Sequence, residues 1–242
     1  MRVLNIFFIN IFIVLSFFTN SLYACDETNL STCFVDRNKD KKIRILFIGD
    51  SFVRGVGDVN NKGGYTTKLN NDFRANTKRK VRITKIARPG ATVAQILSHI
   101  KQNIYKNPTM LRKIYNADAI ILDMGRNDFW DRRNRNNVRR SITTLRRLIK
   151  FLRTESGAKV KPFITVSTLA HVSTKKPKQL NFIKSFNTEL LKYPKISGII
   201  LQHQLPTTIL SEDGLHPSPL GHNYIYSQVR TQMLTTLYNK MK

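Results

Sequence analysis

Short apolar runs alternate with amphipathic stretches along most of this chain. Residues 43–48, Ile-Arg-Ile-Leu-Phe-Ile, are largely apolar and β-branched and stop at Gly49, which reads as a buried strand. Residues 117–124, Ala-Asp-Ala-Ile-Ile-Leu-Asp-Met, form the clearest buried strand and stop at Gly125. Residues 81–87, 162–168 and 196–201 predict further strands. Helical spacing predicts helices over 64–76, 91–103, 137–153, 179–191 and 219–238. The 137–153 helix is the most strongly patterned, with Val138, Ile142, Leu145, Ile149 and Leu152 on one face. Strands alternating with helices predict a three-layer α/β/α sandwich with a mainly parallel sheet. Such sheets bind ligands at the carboxyl ends of their strands, so functional residues are expected directly after strands.

The first residues follow a different pattern. Arg2 precedes an apolar run over 3–18, then a short polar stretch, then Leu22-Tyr23-Ala24-Cys25. This is the layout of a secretory signal over 1–24. The run is interrupted by Asn5 and Asn10 and is short for a membrane span. A retained N-terminal anchor is the alternative to cleavage. The cut has two readings: cleavage after Ala24, or a lipoprotein-type box with Cys25 as the lipidated residue, in which Tyr23 is awkward. A disulfide between Cys25 and Cys33, the two cysteines of the sequence, is a further reading that export would permit. Residues 25–42 read as a polar tether, and the domain is expected over 43–242. The expected setting is secreted or envelope-facing.

Four segments carry candidate chemistry. Gly49-Asp50-Ser51-Phe52 follows the first strand, where a serine hydroxyl would be presented at the end of the sheet near a helix start. Arg88-Pro89-Gly90-Ala91-Thr92 follows the second strand, and the Gly90 N–H could donate to a developing oxyanion. Gly125-Arg126-Asn127-Asp128 follows the strongest strand, and the Asn127 amide is a neutral donor for the same purpose. Asp213-Gly214-Leu215-His216 precedes the last helix, and a tight turn at Gly214 would bring the Asp213 carboxylate to the near ring nitrogen of His216. Taken singly, each segment also reads as a cap or a plain turn. Asp50 and Asp128 read as loop-holding hydrogen bonders. His99, His171, His203 and His222 are unassigned, with His222 about two turns into the last helix and without an obvious partner.

Four such blocks in this order resemble the SGNH hydrolases, also called GDSL-like esterases and lipases. The resemblance runs from residue 43 onwards, through GDSFVRGVGD with a following GGY, ARPGATVAQI, GRND and DGLHPSPLGH. It implies a flavodoxin-like fold and hydrolysis of carboxylic esters without metal or organic cofactor. It assigns Ser51 as nucleophile, His216 as base, Asp213 as the residue that orients it, and Ser51, Gly90 and Asn127 as the oxyanion hole. Relatives that act on thioesters or on acetyl groups of carbohydrates keep a glycan O-deacetylase or acyltransferase open. A binding protein on the same fold is the alternative from another class. The Gly-x-Ser-x-Gly elbow of other serine hydrolases is absent around Ser51.

Charge narrows the partners. Lys and Arg number 41 against 15 acidic residues, a formal charge of +26. Arg132, Arg133, Arg135, Arg139 and Arg140 crowd one stretch, and Arg146, Arg147, Lys150 and Arg153 continue along the next helix. The bland reading is a solvated basic face. The sharper one is attraction to an anionic envelope surface. Nucleic acid is disfavoured by the secretion signal and by the lack of a recognised motif. Arg88 and Arg126 adjoin the oxyanion blocks, and the expectation is that they reach the cleft and select an anionic ester substrate. No Cys–His pair has metal-ligand spacing.

Overall fold

Alternation of side chains along the first strand builds two cores at once. In this computed structural model, which describes residues 35–59, 63–76, 80–130, 137–170, 177–193 and 206–234, β1 spans Lys42–Gly49. Ile43, Ile45 and Phe47 point to one face of the sheet, and Leu46 and Ile48 to the other. All five are buried, and each side chain so buried contributes about 1.5–3 kcal/mol. Strand β2 is Lys80–Ala87, β3 is Ala119–Asp123 and β4 is Phe163–Val166. Among the described residues they form one parallel sheet in the order β2-β1-β3-β4. β1 therefore lies between β2 and β3, with Gly49 opposite Ala87 on one side and Asp123 on the other. An added Cβ on Gly49 would collide with the Asp123 carbonyl and the Val53 side chain, so the two strand ends can approach only because this residue is glycine.

The helices are α1 Ser51–Arg54, α2 Gly64–Ala75, α3 Val93–Asn103, α4 Pro108–Tyr115, α5 Val138–Lys150, α6 Pro177–Leu191 and α7 Pro219–Gln232. Helices α2 and α7 cover one face, through Leu69, Phe73, Ile225 and Val229. Helices α3, α4, α5 and α6 cover the other, through Ile96, Ile114, Leu145 and Phe186. This is the three-layer sandwich that the pattern predicts. The α5 face is built as expected, and its continuation over Phe151–Glu155 is a π turn. There Ser156 Oγ donates back to the Leu152 carbonyl at 2.8 Å.

The helix start expected at Ser51 is the single turn α1, and α4 was not predicted. The signal for α4 is present: Asn107 caps Met110 N–H at 3.0 Å and Pro108 opens the helix. The end of the expected tether is packed. Val35 lies against the core, and buried Asp118 accepts from Arg37 N, Asn38 N and Asn38 Nδ2 at 2.9–3.2 Å. Residues 1–34, with the signal, Cys25 and Cys33, lie outside the described residues. So do the predicted strand 196–201, His171, His203, Arg132, Arg133 and Arg135. Helix 219–238 is described only to the start of that range's last turns, residues 235–242 lying outside.

Candidate active site

The strand order fixes how the four blocks meet. Ser51 follows β1 with only Asp50 between, and it opens α1. Gly90 lies just beyond β2, whose ladder continues through Arg88 N–H to the Gly49 carbonyl at 2.9 Å. Asn127 lies just beyond β3, in a 3-10 turn over Arg126–Trp130. The nucleophile block is thus central, with the two donor blocks on the strands either side. Asn127 Nδ2 ties all three together, donating to the Ala91 carbonyl at 3.1 Å and lying 3.5 Å from Asp50 Oδ2. The second contact is long for a hydrogen bond, so that hydrogen remains available to another acceptor. Gly90 is exposed and has φ +72, and an added Cβ would meet nothing within 4 Å. Its backbone conformation, not space, calls for glycine.

His216 arrives on a narrow turn. Leu210 bridges Pro217, Ser211 N–H donates to the His216 carbonyl at 2.8 Å, and Gly214 takes φ +64 at the tip. Asp213 Oδ2 lies 2.6 Å from His216 Nδ1. Its Oδ1 accepts from Ser211 Oγ, Leu215 N and His216 N at 2.7–2.9 Å. Slight burial works to raise the Asp213 pKa, but the bonds to His216, Ser211 and Leu215 outweigh it and hold the carboxyl well below its usual range. The carboxylate therefore stays charged and favours the Nδ1–H tautomer of its neighbour. The His216 ring lies 6.3 Å from that of Phe52, and Leu215 lines the same cleft as Ser51. Ser51 Oγ and the imidazole share no hydrogen bond among the described residues. Such bonds often close only when substrate is held.

Arg126 departs from expectation. It was expected to reach the cleft and bind an anionic substrate. It does line the cleft, but its Nη atoms are committed to buried carboxylates, Nη1 to Asp50 at 2.6 Å and Nη2 to Asp123 at 2.7 Å. The guanidinium lies 3.9 Å over the Phe52 ring. Asp123 also accepts from Tyr65 Oη at 2.7 Å. A charge already outnumbered by two carboxylates is not offered to a ligand. Burial opposes the Arg126 charge, but Asp123 and Asp50 outweigh it and raise its pKa. Burial pushes Asp50 up to about 6, with Arg126 opposing and Asp123 reinforcing. Tyr65 is raised well above its ordinary value, by burial and then by Asp123. Arg88, also expected to reach the cleft, is exposed and is not among the described residues that line it.

Asp50 and Asp128 hold loops, as read. Asp50 caps Phe52 N–H at 3.1 Å, and Asp128 accepts from Val93 N and Ser141 Oγ at 3.0 and 2.8 Å. His222 was misjudged. It lies one turn into α7, fully buried, with Nε2 3.0 Å from the Val56 carbonyl and Nδ1 accepting from Tyr65 N–H at 3.3 Å. Burial lowers its pKa, which suits the neutral Nε2–H tautomer these partners require. Its spacing with Ile225 and Val229, both buried, was the available signal. Lys85 was also missed: its Nζ donates to the Gly63 carbonyl at 2.7 Å and to the carbonyl of Arg54, the last residue of α1, at 3.1 Å.

The description GDSL-like Lipase/Acylhydrolase family matches residues 47–224, a span that contains all four blocks. The chain belongs to this family. It is an ester hydrolase of the SGNH type. The fold of this SGNH hydrolase is similar to that of a lipase, Lip_vut3, from a goat rumen metagenome, at TM-score 0.61 and 17% identity, covering 81% of this chain and 99% of that one. It is also similar to the psychrotrophic esterase EstA from Pseudoalteromonas sp., at TM-score 0.58 and 15% identity, covering 80% and 98%. The acetylxylan esterase Axe2 from Geobacillus stearothermophilus gives TM-score 0.56 and 18% identity, covering 79% and 94%. At these identities the likeness is one of fold. No curated protein matches the sequence.

Proposed function

We propose that this SGNH hydrolase cleaves short-chain acyl esters through a Ser51 acyl-enzyme. His216 takes the Ser51 proton as Oγ attacks the ester carbonyl, and Asp213 steadies the resulting imidazolium. The Ser51 N–H, the Gly90 N–H and the Asn127 amide surround the oxyanion, and loss of one such donor costs about 3–4 kcal/mol of transition-state stabilisation. His216 then protonates the leaving alcohol, and water attacks the acyl-enzyme in a second half-reaction. The reading is carried by the placement of Ser51, Gly90 and Asn127 at three adjacent strand ends. It is helped by the packing of the His216 turn on the exit of α1, where an added Cβ on Gly57 would lie 3.2 Å from His216 Cβ.

The short acyl group is argued from room. Ser51, Phe52, Asn127, Ile183 and Leu215 line a confined cleft, which leaves little open space beside the nucleophile for a long chain. A glycan O-deacetylase is therefore favoured over a long-chain lipase. Likeness in fold to a carbohydrate esterase of family two from Clostridium thermocellum, solved with cellohexaose, is compatible with this. The setting is extracytoplasmic in this proposal, from the signal-like residues 1–24. A mature N-terminus beginning at Cys25 would support that, and protein confined to the cytoplasm with its leader intact would oppose it.

A panel of p-nitrophenyl esters graded in chain length tests the activity. Acetate is expected to be cleaved best, and Ser51→Ala to lower kcat by roughly 10⁴-fold or more while the melting temperature holds. A wild-type chain that fails to react with a fluorophosphonate probe would favour the binding protein instead.

A further inference from the structure

A second concavity lies outside the catalytic cleft. It is a groove of about 660 Å³ between α3 and α5. Ala94 and Leu97 give it an apolar strip, and Lys101, Arg139, Arg140 and Arg147 give it four cations. Among the described residues no carboxylate lines it. Glu155 stands 4.0 Å from Lys101, but both side chains are about half exposed, so that pair offsets little of the charge. Three of the cations stand on α5 and one, Lys101, on α3, where its Nζ also lies 5.3 Å from the centre of the Phe151 ring. Residues 94–101 on one wall and 139–147 on the other span about 10–12 Å at helical rise.

The groove is tied to the cleft by one residue. Asp128 follows Asn127, and its two oxygens bind the first turn of each wall, Val93 N–H on α3 and Ser141 Oγ on α5. The mouth of the groove is thus set beside the asparagine block, and the groove leads away from the carboxyl edge of the sheet.

We infer that this groove is an accessory site for a linear polyanion, an acidic glycan whose esterified unit enters the cleft at Ser51. The role of the bound chain as substrate rests on the ester-hydrolase reading above; its binding does not. The α5 arginines form one wall, and Lys101 with the apolar strip forms the other, so a chain laid between them is contacted from both sides. A flat lipid surface would meet only the outer rims. The apolar strip and the methylene stems of the arginines suit sugar rings better than isolated small anions.

The test compares the wild-type chain with Arg139→Gln/Arg140→Gln/Arg147→Gln. A control, Arg74→Gln/Lys80→Gln/Arg82→Gln, removes equal charge from the α2–β2 side. All six positions are exposed, so the fold is expected to persist, as checked by thermal melting. Calorimetry with polygalacturonate is expected to show binding that weakens steeply with salt. Affinity is expected to fall tenfold or more in the groove variant and less than threefold in the control. Cleavage of p-nitrophenyl acetate should stay at the wild-type rate in both variants. The preference for O-acetylated polygalacturonate over neutral acetylated xylan should fall about tenfold in the groove variant alone. Equal loss in both variants would overturn the proposal, because net charge would then explain binding. So would competition by millimolar inorganic phosphate as effective as that of the polymer, or binding to phosphatidylglycerol vesicles without binding to polygalacturonate. Failure of the wild type on p-nitrophenyl acetate would strike the hydrolase reading alone, since the calorimetry still decides the groove.

Discussion

Asp213 and Asp50 each stand beside a member of the candidate catalytic set, and their surroundings are opposite. The Asp213 side chain is 49% exposed, and its partners lie within three residues of it. Asp50 is fully buried, and Arg126, its ion-pair partner, is 76 positions away in sequence. Their pKa values move apart accordingly. Local hydrogen bonds hold Asp213 low against a slight burial effect, whereas burial pushes Asp50 up to about 6 despite its arginine. The base side of the site is therefore a self-contained turn in water. The nucleophile side is a charged cluster that exists only once β1 and β3 are paired.

The largest expected effect comes from the exposed half. Asp213→Asn keeps an oxygen for the three bonds that Oδ1 accepts but can no longer fix the His216 tautomer as a carboxylate does. Its kcat is expected to fall roughly 10³-fold, with a loss of unfolding free energy that its exposure keeps smaller than that of the buried pair below. A variant that loses stability as much as rate would show that the turn is not self-contained, and the contrast with Asp50 would collapse.

The buried half should fail in the reverse manner. Arg126→Met leaves Asp50 and Asp123 facing each other without their cation. Removing one partner of a buried pair costs about 3–5 kcal/mol, read here by urea unfolding. Arg126→Lys restores the charge but not the fork that reaches both carboxylates, so an intermediate loss is expected. A Met variant within about 1 kcal/mol of wild type would mean that the cluster does not support the fold.

The two halves also differ in how far they can be read from sequence. The Asp213–His216 contact is legible because a three-residue separation and a glycine dictate a turn, and the distance follows. Ser51, Gly90 and Asn127 are legible as strand-end residues because the apolar runs before them are unambiguous. Arg126 was placed in the right block but given the wrong partner. Nothing local to GRND reveals that Asp50 is across the sheet, since strand order, not spacing, brings them together. His222 and Lys85 were missed for the same reason: their acceptors, Val56 and Gly63, sit in a loop whose path sequence patterning does not give. Helix α1 is a single turn, too short to show a period.

The smallest effect tests the sign of the contrast. A carboxyl whose folded pKa is about 6 against an ordinary 3.8 binds its proton more tightly in the folded state. The stability this contributes is complete below the ordinary value and is lost as pH rises through about 6. Asparagine binds no proton at either pH. The stability deficit of Asp50→Asn relative to wild type should therefore shrink between about pH 4.5 and 7.5, by about 2 kcal/mol, since one pKa unit is worth about 1.4 kcal/mol. Taking the difference from wild type cancels the other carboxyls that titrate in that range. Asp213→Asn should show no slope in that window, because a depressed carboxyl is ionised in both states there and its contribution is lost only as pH falls from the ordinary 3.8 towards the folded value. Parallel slopes in the two variants would mean that Arg126 keeps Asp50 ionised as firmly as the turn keeps Asp213. The cluster beneath Ser51 would then be held by attraction to the guanidinium, with burial the lesser effect.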